Sequence, residues 1–87
     1  MANYKIQVKK SAQKEIANLQ NKDLQKIIKK IESLTKNPRP LGVKKLSAEE
    51  KYRLRVGDFR ILYTIEDDIL LIYVVKVGHR KDVYKSL

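Results

Sequence analysis

Hydrophobic positions along this chain change period several times, and each change marks an element. From Asn3 to Lys9 the apolar residues Tyr4, Ile6 and Val8 alternate with Lys5, Gln7 and Lys9, the pattern of a strand with one buried face. Ser11 follows as an N-cap candidate for a short helix reaching about Gln20, with Ala12, Ile16 and Leu19 on its apolar side. A second helix starts at Asn21 or Asp23 and runs to about Thr35. Its residues Leu24, Ile27, Ile28, Ile31 and Leu34 keep the 3.6-residue period. Pro38-Arg39-Pro40-Leu41-Gly42 cannot extend that helix and forms a stiff exit. Val43 to Leu46 is compatible with a short strand or a loop. Strands at about 52–56, 59–66 and 69–77 follow, separated by Gly57-Asp58 and Asp67-Asp68. Ile69 to Val75 is apolar on both faces, as in a strand covered on both sides. The expected fold is a single α+β domain over residues 1–87. An N-terminal strand and a two-helix hairpin precede an antiparallel three-stranded meander, with the helices on one face of the twisted sheet.

The meander's first hairpin carries the chemistry. A two-residue Gly57-Asp58 turn makes Val56 oppose Phe59, which sets Arg55 directly across from Arg60 with Arg53 two residues further along. Tyr52, Leu54, Val56, Phe59, Ile61 and Tyr63 share the other face and should receive the helices. Like charges opposed on a sheet cost roughly 0.2–1 kcal/mol per pair, so an anion bound there would offset a standing penalty. If Asp67-Asp68 is also a two-residue turn, Ile69 opposes Glu66 and Val75 opposes Arg60. The chain after Val77 then leaves the sheet near Gly57. Gly78-His79-Arg80 and Tyr84 could fold back toward the arginines.

Charge sharpens this picture. The 87 residues carry a formal net charge of +10, with no cysteine and one histidine. That composition excludes a disulfide framework and a thiolate metal site. No carboxylates fall at a ligand spacing, so neither metal nor cofactor is expected. No apolar run is long enough to span a bilayer, and the N-terminus lacks a signal-peptide core, which points to the cytoplasm. Residues 1–45 hold 12 Lys/Arg against 3 Asp/Glu, and residues 46–87 hold 8 against 7. Lysine dominates the first half; four of the five arginines lie in the second. Lysine suits diffuse attraction and arginine forked phosphate contacts, so the chain combines a docking surface with an arginine-lined site for a polyanion. On the second helix Lys22, Lys26 and Lys30 form a ridge with Lys29 beside it, expected behind the sheet and away from the arginines. Asp67 and Asp68 read as hairpin-tip residues. Glu49 and Glu50 read as loop, with Glu50 near enough in sequence to serve as a base.

Taken together, Tyr52-Arg53-Leu54-Arg55-Val56-Gly57-Asp58-Phe59-Arg60-Ile61-Leu62-Tyr63, the acidic turn, the apolar strand and Gly78-His79-Arg80 with Tyr84 resemble the RelE branch of the RelE/ParE toxin superfamily. The resemblance spans nearly the whole chain. It implies a toxin of a type II toxin–antitoxin pair that cuts messenger RNA in the ribosomal A site without a metal: the ribose 2′-hydroxyl attacks the adjacent phosphate, leaving a 2′,3′-cyclic phosphate and a 5′-hydroxyl. It further implies phosphate contacts from Arg53 and Arg55, transition-state stabilisation by Arg60, an acid or phosphate-clamp role for Arg80, and base catalysis or stacking for Tyr84. The basic pair is often lysine in such toxins and is arginine here. His79 stands where some relatives have lysine, and others use a histidine in this region as acid. The implied partners are an acidic RelB-like antitoxin, the ribosome and messenger RNA. Two other readings stay open: a ParE-like toxin that inhibits gyrase, and a non-catalytic RNA- or ribosome-binding module.

Overall fold

The computed structural model describes residues 3–46 and 51–79, which form eight elements. In chain order these are β1 (Lys5–Val8), α1 (Lys10–Ala17), α2 (Asn21–Leu34), β2 (Lys44–Leu46), β3 (Lys51–Val56), β4 (Phe59–Glu66), a 3-10 turn (Asp67–Ile69) and β5 (Leu71–His79). The strands make one five-stranded sheet in the order β1-β5-β4-β3-β2. The expected meander is its centre, β3-β4-β5, with β1 added parallel to β5 and β2 antiparallel to β3. Both helices lie on one face, an α+β arrangement. No helix among the described residues is long and apolar enough to cross a membrane.

Alternation decides which face is covered. Ile27, Ile31 and Leu34 of α2 and Ala12 of α1 are buried with Tyr52, Leu54, Ile61, Tyr63, Ile65, Ile72, Val74 and Val77 from the sheet. Ile28, expected in the same stripe, is 38% exposed because it sits at the stripe's margin. The helix starts differ from expectation. Ser11 does not cap α1: it lies within the first turn, Lys9 precedes the helix, and no side chain caps it. The Lys9 amide instead bonds Val74 O, so the chain turns into α1 directly off β1, where Gln13 Nε2 donates to Val8 O at 2.9 Å. The helix α2 begins at Asn21, with Asp23 in its first turn, where a negative charge complements the helix dipole.

The β4–β5 connection is longer than the expected two residues. Leu71, not Ile69, opposes Glu66, and Gly78, not Val75, opposes Arg60, with a register shift between Leu62 and Tyr63. The turn is built around Asp67. Its carboxylate accepts from Tyr4 Oη at 2.6 Å and from Arg39 Nη1 and Nη2 at 3.2 and 2.9 Å. Arg39 also donates Nε to Tyr52 Oη at 3.1 Å and stacks 5.3 Å from that ring's centroid. Tyr52 stacks on Tyr63 with centroids 5.8 Å apart, and the Tyr63 hydroxyl donates to Pro38 O at 2.7 Å. Asp67 is therefore more than a tip residue. It and Arg39 tie β1, the Pro38–Gly42 loop, β3 and the β4–β5 turn together, and Leu70 closes the turn at φ +52°, a left-handed conformation unusual for leucine.

Arg39 first, and then Tyr4, hold the Asp67 carboxyl below its ordinary value, since both donate to the ionised form. A carboxyl held low in the folded state adds stability above the unfolded value of about 3.9, lost as pH falls through the folded one. Asp67→Asn should lower Tm near neutral pH, and its deficit against the parent should shrink below about pH 4. An equal deficit in acid and at neutral pH would show that the carboxylate's charge plays no part.

Candidate nucleic-acid site

Strands β3 and β4 pair in the expected register, Arg55 against Arg60 and Arg53 against Leu62, so these side chains leave the sheet on the face opposite the helices. Their surroundings are unequal. Arg55 is exposed and Arg53 half-buried, whereas Arg60 is only 2% exposed. A plain solvated face is therefore the wrong description for Arg60. It lies on the middle strand, Leu62 beside it is also buried, and Gly78 across the ladder brings no side chain over it. Arg60 Nη1 makes a 3.3 Å bond to Phe59 O, while its buried Nε has no hydrogen-bond partner among the described residues. An unsatisfied buried donor costs about 1–3 kcal/mol. An acceptor brought to Nε would offset that cost.

The final strand brings its end to the same hairpin, though not as expected for His79. His79 opposes Phe59, and its ring meets the Phe59 ring edge-on with centroids 5.8 Å apart. Phe59 packs against the core cluster, so the imidazole sits on the helix side of the sheet, away from Arg55 and Arg60. The one-residue register shift between Leu62 and Tyr63 causes this: the longer turn moves the pairing by two residues and keeps the faces, whereas the shift changes which β5 residues share a face with Arg60. Arg80, Tyr84 and Glu50 lie outside the described residues.

The lysines divide. Lys22 and Lys26 line a groove with Val56, Gly57 and Phe59 at the hairpin tip. Lys30 does not stay apart from the arginines. It lines a cleft of about 370 Å³ together with Lys44, Arg53 and Arg55. The helix passes behind β3 where β2 no longer covers its edge, so the two cationic sets meet there. At the other border of the open face, Lys76 Nζ donates to Glu15 Oε2 at 2.5 Å, and Glu15 Oε1 accepts from the Val77 amide at 3.2 Å. Sequence reasoning missed this α1 carboxylate. It also missed Arg39, whose place between two prolines is the one signal that its side chain is held, and Lys44.

The family model for the ParE toxin of type II toxin–antitoxin systems matches residues 6–84. A protein of Methanocaldococcus jannaschii named as toxin RelE1 is 31% identical, over 95% of this chain and 97% of its own length. Among solved structures, a variant of the Escherichia coli toxin RelE in the free state superposes with a TM-score of 0.75 at 26% identity, over 98% of this chain and 93% of that one. The toxin–antitoxin complex RelB–RelE of Methanococcus jannaschii matches with a TM-score of 0.71 at 26% identity, over 92% and 96%.

Replacing Arg60 with methionine keeps most of its length and removes the unpaired donor. Arg60→Met should raise stability by about 1 kcal/mol or more, roughly 4–8 °C in Tm. A lower melting temperature would make the guanidinium a structural element rather than one held ready for a ligand.

Proposed function

This chain belongs to the RelE/ParE toxin superfamily as a toxin of a type II toxin–antitoxin system, and we propose that it acts as a ribosome-dependent endoribonuclease. The observation that carries this reading is Arg60, buried, with Nε lacking a partner among the described residues and with Arg55 across the ladder. In the proposed step the 2′-hydroxyl oxygen bonds to the adjacent phosphorus and the P–O5′ bond breaks. One proton leaves the attacking hydroxyl and one reaches the departing O5′. The products are a 2′,3′-cyclic phosphate and a 5′-hydroxyl. Negative charge grows on the non-bridging oxygens, and Arg60 with Arg53 and Arg55 supplies fixed donors where it grows. Arginine stays protonated, so these three stabilise charge and do not exchange protons. The His79 ring lies against Phe59, which argues against it as the proton donor and, among the residues the sequence singles out, leaves proton transfer to Tyr84 or Glu50, with Arg80 as a further phosphate clamp. Lys22, Lys26 and Lys29 add diffuse attraction to ribosomal RNA.

The partner that silences such a toxin is an acidic, RelB-like antitoxin with a segment that folds as it binds. An apolar groove of about 330 Å³ on the helix side, lined by Ile6, Val8, Ile16, Ile28 and Ile31, suits the hydrophobic side of that segment.

Incubating the toxin with a message, with and without programmed ribosomes, and mapping the ends tests the reading. Cutting only on the ribosome, with cyclic-phosphate and 5′-hydroxyl ends, is expected. Arg55→Ala and Arg53→Ala should each slow cutting by about 10²–10³-fold at saturating ribosome. Loss of gyrase supercoiling without any cleavage would favour the ParE-like reading, to which the name of the matching family model lends support. Ribosome binding without cleavage would favour a non-catalytic module.

A further inference from the structure

We propose that Lys76 is the proton donor to the departing O5′ and that Glu15 is the residue that positions it. The inference rests on the ribonuclease reading and deepens it by assigning one of the two proton transfers. The three arginines stabilise charge and do not exchange protons, and the His79 ring lies on the helix side of the sheet. Lysine is the cation that does give up a proton. A departing alkoxide is a far stronger base than an amine, so transfer from the ammonium runs downhill.

The ladder between β4 and β5 puts Lys76 on the face that carries Arg60. Lys76 opposes Leu62 and Gly78 opposes Arg60, so Lys76 and Arg60 leave the sheet together as diagonal neighbours. Residues so related stand about 7–8 Å apart, within reach of a long side chain. Gly78 brings no side chain between them, which leaves room for a phosphate there. In-line displacement puts the attacking and leaving oxygens on opposite sides of phosphorus. Arg55 stands on the β3 flank of Arg60, and Lys76 stands on the other flank, where the leaving oxygen can depart. On that flank Lys76 lines a cavity of about 310 Å³ with Ser11, Leu46, Leu62 and Val75. Its size is in the range of small-ligand sites and offers space to the departing nucleoside.

The ammonium is held rather than left in water. Lys76 Nζ donates to Glu15 Oε2 at 2.5 Å, and only 22% of the lysine side chain and 28% of the glutamate's are exposed. Lysine is seldom taken this far from water unless it is paired. The other carboxylate oxygen, Oε1, accepts from the Val77 amide at 3.2 Å. Pairing of β1 with β5 stops at Val74, so Glu15 takes up an edge amide that β1 does not reach. Tied to the backbone one residue beyond Lys76, the carboxylate fixes where the ammonium lies relative to Arg60.

Replacing the bridging O5′ at the cut position with sulfur tests this, because a thiolate leaves without being protonated. Single-turnover cutting on saturating, programmed ribosomes is measured for the oxygen and the sulfur message, using the full chain freed of antitoxin. Lys76→Arg keeps the charge and loses the exchangeable proton. It should cut the oxygen message about 10²-fold or more slowly than the parent, and the sulfur message at near the parent rate. Glu15→Gln keeps an acceptor for the Val77 amide and removes the anion, so it should show the same pattern with a smaller loss. Arg55→Ala should be slow on both messages, since a charge contact serves either leaving group. Lys9→Arg, at the same cavity, should match the parent on both. A folding defect cannot mimic this pattern, because it would slow both messages alike. Parental cutting of the oxygen message by Lys76→Arg would overturn the proposal. Equal slowing on both messages would overturn it too, making Lys76 a source of charge or structure. Equal slowing by Glu15→Gln on both would remove the positioning role of Glu15. A parent that cuts neither message would sink the ribonuclease reading and this assignment with it, a failure seen before any variant is made.

Discussion

Burial of one face of the sheet beneath α2 is the constraint from which the rest follows. A strand has a period of two, so once Leu54, Ile61 and Tyr63 are committed to the core, Arg53, Arg55 and Arg60 have no choice of side. A slip of one residue would send three guanidinium groups under the helices. Register is thus held by the large penalty for burying unpaired charge as well as by the gain from burying apolar surface. The tight turn at Gly57, with φ +58°, completes the alignment by setting Arg55 directly opposite Arg60.

Within that frame the three arginines are not equivalent. Arg60 occupies the middle strand and is held away from water, so its charge acts with little screening. Arg55 is exposed and Arg53 half-buried. A buried, incompletely bonded guanidinium is a cost to folding, and such costs concentrate where a ligand can offset them. The Arg39–Asp67 pair is the opposite case. Both partners are substantially exposed, and as an isolated surface pair it would add little to stability. Its effect comes from connection: two tyrosine hydroxyls and a ring stack make it the link among four separate pieces of backbone, including the loop that carries Leu41. One network thereby couples the opening strand to the border of the cationic cleft.

The local patterns were legible in the residues alone. Alternation from Tyr52 to Tyr63 with a Gly-Asp turn specifies a hairpin, its register and the face of each arginine, because all three depend on neighbours within about 12 residues. The 3.6-residue stripe from Leu24 to Leu34 likewise specifies α2. Family membership was legible too, since the hairpin motif and the segment after β5 fall in order and at short spacing. What the local pattern could not supply was anything dependent on contacts between distant segments. Asp67 looked like a tip residue because Tyr4 and Arg39, 63 and 28 positions away, are invisible to a local reading. The one-residue register shift between β4 and β5 then moved His79 to the helix side. The meeting of Lys30 with Arg53 and Arg55 depends on where β2 stops, and Val43 to Leu46 carried too weak a pattern to place that end. Sequence by itself determined the two faces of the hairpin, since side-chain direction in a strand follows from residue parity. Only the tertiary structure decided how deeply Arg60 is buried and which cations share a cleft, since burial depends on what the other strands and helices place around a residue.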